Sequence, residues 1–281
     1  MIREAIEEEQ GVKVNGININ NIRFADDTAL VAEEEKDLQK LINKITETCR
    51  QYGMALNVKK TKIMVIDKKN SIASNIYADG EKLEQVKKYK YLGSWITENG
   101  KCLEEVKNRI GQAKTEFWNC KEFLRSNLNL KLKLRLLRSY IFSIVSYASE
   151  TWTFNKDITN RIKAFEMWCY RRILKISWTE KVTNQEVCRR INRGENLVKN
   201  IAKRKMRFAG HVIRGSCGEL TSLVIEGMVE GKRDKGQQRR KWDDDVKNWS
   251  RITRFGDVKR KAEDKLAWRD MVANLHIEDG T

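Results

Sequence analysis

The sequence contains no proline, only two histidines, and no apolar run near the roughly 18 residues that would span a bilayer. At an average usage of about 5%, a chain of 281 residues would hold roughly 14 prolines, so that absence is the oddest. The lack of a long apolar run, with an acidic helical start at Met1-Ile2-Arg3-Glu4-Ala5-Ile6-Glu7-Glu8-Glu9, predicts neither secretion nor membrane insertion. An intracellular protein, nuclear or cytoplasmic, is the expectation. Six cysteines stand at 49, 102, 120, 169, 188 and 217, no two closer than 18 residues, and none forms a Cys/His knuckle. Such scatter predicts buried thiols in a reducing compartment rather than disulfides or zinc.

What is present points to a folded, basic protein. Hydrophobic residues make up 40% and charged residues 34%, with eight Trp and a formal net charge of +17. The length allows a large core and two domains. The charge is uneven: residues 1–100 hold 16 Lys and Arg against 16 Asp and Glu, whereas 101–281 hold 40 against 23. The whole excess therefore sits after residue 100, together with seven of the eight Trp. A balanced first part and a basic second part suit a polyanion such as nucleic acid. The alternative is a set of solvated helical faces.

The first part alternates in the manner of short strands. Gly16–Ile19 and Ile22–Phe24 lead to a tight turn at Ala25-Asp26-Asp27-Thr28, and Ala29–Ala32 runs back. Leu38, Leu41, Ile42, Ile45, Cys49 and Tyr52 recur at helical spacing, with Gly53 as the stop. Strands are then expected at Ile63–Ile66, at Ile76-Tyr77 before an Asp79-Gly80 turn, and at Tyr89–Gly93. From about residue 101 the spacing becomes helical: Leu103 to Phe117, Leu132 to Val145, Ile158 to Ile173, a capped helix after Thr183 ended by Gly194, Leu197 to Val212, and Leu220 to Val229. A basic stretch over 231–241 precedes a terminal helical pair opened by Trp242, Val246 and Trp249.

Asp26 and Asp27 are the candidates for chemistry. Adjacent carboxylates on a rigid turn can hold a hard cation such as Mg²⁺ and leave positions for phosphates. On spacing alone the pair reads rather as a polar hairpin turn, for which Asp is a favoured residue. The neighbouring residues add more: Arg23-Phe24-Ala25-Asp26-Asp27-Thr28-Ala29-Leu30 resembles the F/Y-A-D-D active-site hairpin of reverse transcriptases. Gly53-Met54-Ala55-Leu56-Asn57-Val58-Lys59-Lys60-Thr61 is similar to the following G-L-x-L-N-x-x-K-T palm motif, and Tyr89-Lys90-Tyr91-Leu92-Gly93 to the primer-grip hairpin. In the basic part, Ser146–Thr153 is similar to the Y-G-x-E-x-W segment of LINE-type (non-LTR) retrotransposon reverse transcriptases, and Ala164–Leu174 and Gly210–Arg214 continue the series. Gly236–Val246 resembles their G-R-P-R-x-R-W-x-D-D tail, with Gln237-Gln238 in place of Arg-Pro.

The resemblance implies an α+β fold: a partial palm over 1–98, a helical thumb and connection over 99–230, and a basic linker with C-terminal helices over 231–281. It implies RNA-directed DNA synthesis, with Asp26 and Asp27 as catalytic and Mg²⁺-binding residues and Lys60 near the leaving group. It makes Tyr91, Leu92 and Gly93 the primer grip, and RNA template, DNA primer and dNTPs the partners. Only 23 residues precede Phe24, so the expectation is a C-terminal part of a polymerase, inactive by itself for want of the strand that carries the partner Asp. Lys203, Arg204, Lys205, Arg207, Lys232, Arg233, Lys235, Arg239, Arg240 and Lys241 are the expected phosphate contacts. Asp243-Asp244-Asp245 reads as acids favoured in a first helical turn, His211 as structural or facing nucleic acid, and Trp242 and Trp249 as core. The alternative function is a non-catalytic RNA- or DNA-binding protein derived from the thumb.

Overall fold

A computed structural model of the chain describes residues 6, 9–66, 73–192, 196–226, 240–275 and 277. The contacts divide the chain into two units, Met1–Lys101 with Glu219–Gln237, and Cys102–Gly218 with Gln238–Thr281.

The first unit is built from short two-stranded ladders around one helix. β1 (Val12–Val14) pairs antiparallel with β2 (Ile17–Ile19), and β3 (Asn21–Phe24) with β4 (Asp27–Leu30). β5 (Lys62–Ile63) runs parallel to β8 (Glu84–Gln85), β6 (Tyr77–Ala78) pairs with β7 (Glu81–Lys82), and β9 (Lys88–Tyr91) with β10 (Ser94–Thr97). The two-residue turns Asn15-Gly16 and Asp79-Gly80 place both residues at positive φ, as tight hairpins require. The stretch expected as a strand over Ile63–Ile66 pairs only at Lys62–Ile63, because its partner β8 is itself two residues long.

Helix α1 (Glu35–Gln51) holds three of these ladders together, β3–β4, β5–β8 and β6–β7. Ile42 joins Ile63, Ile76, Ala78 and Leu83 in one apolar cluster, while Leu41, Ile45 and Cys49 join Ile6 in a second. Each such aliphatic side chain, removed from water, is worth about 1.5–3 kcal/mol. Leu30, the last residue of β4, packs against both clusters and so fixes the hairpin to α1.

The second unit is helical. It comprises α2 (Leu103–Asn119), α3 (Lys121–Leu124), α4 (Leu130–Leu136), a π-helical turn at Leu137–Ile141, α5 (Phe142–Val145), α6 (Lys156–Ile173), α7 (Asn184–Ile191) and α8 (Leu197–Ile213). α9 (Glu219–Glu226) belongs to the first unit. The second unit then closes with α10 (Trp242–Ser250), α11 (Phe255–Glu263) and α12 (Lys265–Ala273), three helices where a pair was expected. The expected stop at Gly194 lies outside the described residues; α7 ends at Asn192, with φ 48. α8 is the spine, since Val198 and Ile201 lie in the larger core and Ala202, Met206 and Ala209 in the cluster formed with Val246, Val258, Ala262, Trp268 and Val272. No helix among the described residues is long and apolar enough to cross a membrane.

Candidate active site

The β3–β4 hairpin presents the carboxylates. Phe24 faces Asp27 across the ladder, leaving Ala25 and Asp26 as the two-residue connection. Ala25 takes φ 53, a left-handed conformation that costs an alanine roughly 1–2 kcal/mol. Asp26 and Asp27 are both exposed, and Phe24 beside them is 65% exposed. Behind the tip the hairpin is tied down: Val31 donates its N–H to the Asn20 carbonyl at 2.9 Å, and the buried Asn20 amide donates to the carbonyls of Ile6 and Glu9.

The β9–β10 hairpin meets it. The Tyr91 hydroxyl lies 3.4 Å from the Ile22 carbonyl of β3, a long donated hydrogen bond. Partial burial, and next the negative charge of Asp27, push the Tyr91 phenol up from its ordinary value. Leu92 and Gly93 form the turn at φ 47 and 82, with Leu92 exposed. Tyr91 thus joins the second hairpin to β3, within electrostatic reach of Asp27. Lys60 is exposed on a turn in which its N–H donates to the Asn57 side chain at 3.1 Å and Thr61 Oγ1 donates to the Asn57 carbonyl at 2.9 Å. Leu56 and Val58 on either side of Asn57 pack into the α1 core, which accounts locally for the L-N-V-K-K-T sequence.

The donor set does not amount to a two-metal centre. Such a centre needs carboxylates from more than one strand, whereas Asp26 and Asp27 are neighbours on a single turn. Among the described residues no cluster of three or more His, Cys, Asp or Glu could hold a metal ion. Two adjacent carboxylates on one turn could form at most one edge of a cation site.

In the second unit, Arg204 and Arg207 are exposed on α8, and Lys203 is half-buried there. Arg204 is held by Glu150 at 2.6 Å and by Ser146 Oγ at 2.9 Å. Arg204, Arg207, Phe208 and His211 line an open groove of about 420 Å³ together with Glu150 and Thr151. Lys205 requires a correction: it cannot touch phosphate, because its side chain is 0% exposed. Its ammonium donates to Asp245 Oδ2 at 2.6 Å and to the Trp152 carbonyl at 2.7 Å, and lies 4.8 Å from the Trp242 ring and 5.6 Å from that of Trp249. Burial pushes it below the ordinary lysine value, against the pull of Asp245. Arg240 is also engaged, pairing with Asp245 at 2.8 Å, while Lys241 is exposed. Lys232, Arg233, Lys235 and Arg239 lie outside the described residues.

Two motifs of the basic half, the one at Ser146–Thr153 and the one ending at Val246, meet at this buried ion pair. Asp245 also accepts the Phe154 N–H at 2.8 Å, and Trp242 Nε1 donates to the Glu150 carbonyl at 2.7 Å. Gly210 is where Trp268 lies: a Cβ there would come within 2.4 Å of Nε1, which donates to the Met206 carbonyl at 2.9 Å. Arg214 donates to the Ala262 carbonyl at 2.6 Å. The Lys205–Asp245 pair was hidden in runs of like charge, yet Ile201, Lys205 and Ala209 share one spacing of four on α8, which placed Lys205 on the buried face.

Residues 1–96 match the family model described as reverse transcriptase (RNA-dependent DNA polymerase). An uncharacterised transposon-derived protein of Caenorhabditis elegans is 29% identical over 246 residues, which cover 84% of this chain and 87% of the relative.

Proposed function

We propose that this chain, which belongs to the reverse transcriptases of retrotransposons, is of the LINE type and grips an RNA template paired with a DNA primer. Residues 1–98 are then late palm, 99–230 thumb and connection, and 231–281 a basic tail. The observation that supports this reading is the meeting of the Asp26-Asp27 hairpin with the Tyr91 hairpin, where the Tyr91 hydroxyl reaches the Ile22 carbonyl within electrostatic reach of Asp27. Arg204, Arg207, Lys203 and Lys241 serve as phosphate contacts, joined by Arg240 and the linker cations. Clustered guanidinium groups suit that role because they hold the duplex by its backbone irrespective of sequence.

In the family's chemistry the primer hydroxyl attacks the α-phosphate of an incoming nucleotide and pyrophosphate leaves. A divalent ion, Mg²⁺ in this reading, would supply charge neutralisation at those oxygens. Here Asp26, with Asp27 adjacent, would hold one side of the ion, Lys60 would neutralise charge on the leaving group, and Leu92 and Gly93 would shape the turn that meets the primer. Because the pair is only one edge of a site, the 281-residue chain should bind a hybrid duplex without extending it.

Gel shift and primer extension on one RNA–DNA hybrid test both halves of this reading. The expected result is a shifted band and no nucleotide incorporation with Mg²⁺ or Mn²⁺. Absence of any shift in low salt would overturn the reading, and incorporation abolished by Asp26→Asn would overturn the incompleteness of the site.

A further inference from the structure

Of the seven tryptophans in the second unit, Trp152 and Trp268 are 2% exposed, and Trp118, Trp168, Trp242 and Trp249 each make ring contacts with other aromatic side chains. Trp178 is 94% exposed. Among the described residues its indole has no aromatic or cationic partner.

The segment that presents it is held firmly. Trp178–Glu180 is a single 3₁₀ turn closed by a capping box, in which the Ser177 N–H donates to Glu180 Oε1 at 2.6 Å and the Ser177 hydroxyl accepts from the Thr179 N–H. Ile176 before it and Val182 after it pack against the main core. Arg171 of α6 reaches across to the Val182 carbonyl and to Asn184 Oδ1, each at 2.8 Å. Lys175 and Lys181 bracket the turn at φ 57 and 48, a conformation that restricts where the chain can go. A large aromatic ring is therefore carried into water on a backbone fixed at both ends.

The surroundings select the partner. Residues 171–190 hold six Lys and Arg against two Glu. Both carboxylates are occupied, Glu180 by the capping box and Glu186 by Arg189 and Arg190. Burial, and next the charge of nearby Lys175, push Lys133 below its ordinary value. An aromatic anchor for a protein partner would sit in an apolar surround, whereas Ser177, Thr179, Glu180 and Lys181 are the exposed neighbours here. An aromatic face among cations is the arrangement that binds single-stranded nucleic acid, the ring stacking on a base while the cations hold the backbone.

We propose that Trp178 is a stacking platform for an unpaired base of RNA or single-stranded DNA, with the exposed Lys175 and Lys181 beside it as phosphate contacts. This inference rests on the nucleic-acid reading given above. It adds to that reading a site that grips template outside the duplex.

Fluorescence anisotropy on the full chain tests it, with a labelled oligouridylate and, in parallel, a blunt RNA–DNA hybrid. Trp178→Ala should weaken oligouridylate binding by about five- to a hundredfold, while Trp178→Phe retains most of the affinity and neither change affects the hybrid. The salt dependence should be unaltered in Trp178→Ala, since no phosphate contact is removed, and should become shallower in Lys175→Ala with Lys181→Ala. Equal oligouridylate binding by Trp178→Ala and the parent would overturn the platform while leaving hybrid binding intact. Loss of affinity for both probes alike would assign Trp178 a structural role and overturn it too. Absence of binding to either probe by the parent chain would overturn the platform together with the reading beneath it.

Discussion

Lys205 and Ala148 show how single residues carry the second unit. Lys205 and Asp245 are both 0% exposed, and the pair ties α8 to α10 and to the extended segment at Trp152. Removing one partner of a buried ion pair leaves an uncompensated charge, which costs about 3–5 kcal/mol. Lys205→Met should therefore destabilise the chain by about 3 kcal/mol, the lower end because Arg240 still meets Asp245, and denaturant unfolding would show it. A loss under about 1 kcal/mol would mean the pair is relieved by relaxation. Ala148 sits at φ 52, ψ 18, where the resembling Y-G-x-E-x-W segment carries glycine. Ala148→Gly should stabilise by about 0.5–1 kcal/mol, the relief of left-handed strain exceeding the added freedom of the unfolded chain. A lower melting temperature for Ala148→Gly would contradict that account.

At the scale of elements, the second unit uses caps to define short helices. Thr183 Oγ1 accepts the Glu186 N–H at the start of α7, and Glu186 pairs with Arg189 and Arg190 one turn on. Hydrogen bonds from those two guanidinium groups hold the Glu186 carboxyl down to about 2, from an ordinary 4.5. A depressed carboxylate contributes stability that is present above its unfolded value and is lost as pH falls through its folded value. Glu186→Gln should thus be less stable than the parent above pH 4.5, with the difference closing toward pH 2; melting curves across that range would check it. A difference independent of pH would point to packing instead. Much of this layer was readable from sequence, since the Asp79-Gly80 turn, the apolar stripe of α1 and the Thr183 cap are local signals. The strand content of Ile63–Ile66 was not, because pairing depends on a distant partner of only two residues. The Lys205–Asp245 pair was likewise missed, because a charge within a charged run reads as solvated unless its spacing of four with Ile201 and Ala209 is weighed. At the candidate site, the Asp26-Asp27 hairpin was legible as a motif, whereas its contact with Tyr91 needed the fold.

For the whole molecule, the charge pattern ties structure to function. The +17 belongs to residues 101–281, and the neutral first hundred carry the carboxylate hairpin. An excess of 17 cations over one part of the chain suits a polyanion, and the proposed binding, driven by counterion release, should weaken steeply as salt rises. The groove at Arg204, Arg207, Phe208 and His211 is one described surface where that charge meets an aromatic ring. Titration of a labelled RNA–DNA hybrid with the full chain across a potassium chloride series tests the central claim most directly, with Arg204→Ala/Arg207→Ala alongside. The account predicts that log K falls linearly with log salt concentration for the parent, with a slope shallower by about 1–2 in the double variant. Failure to bind at low salt, or binding indifferent to salt, would contradict it.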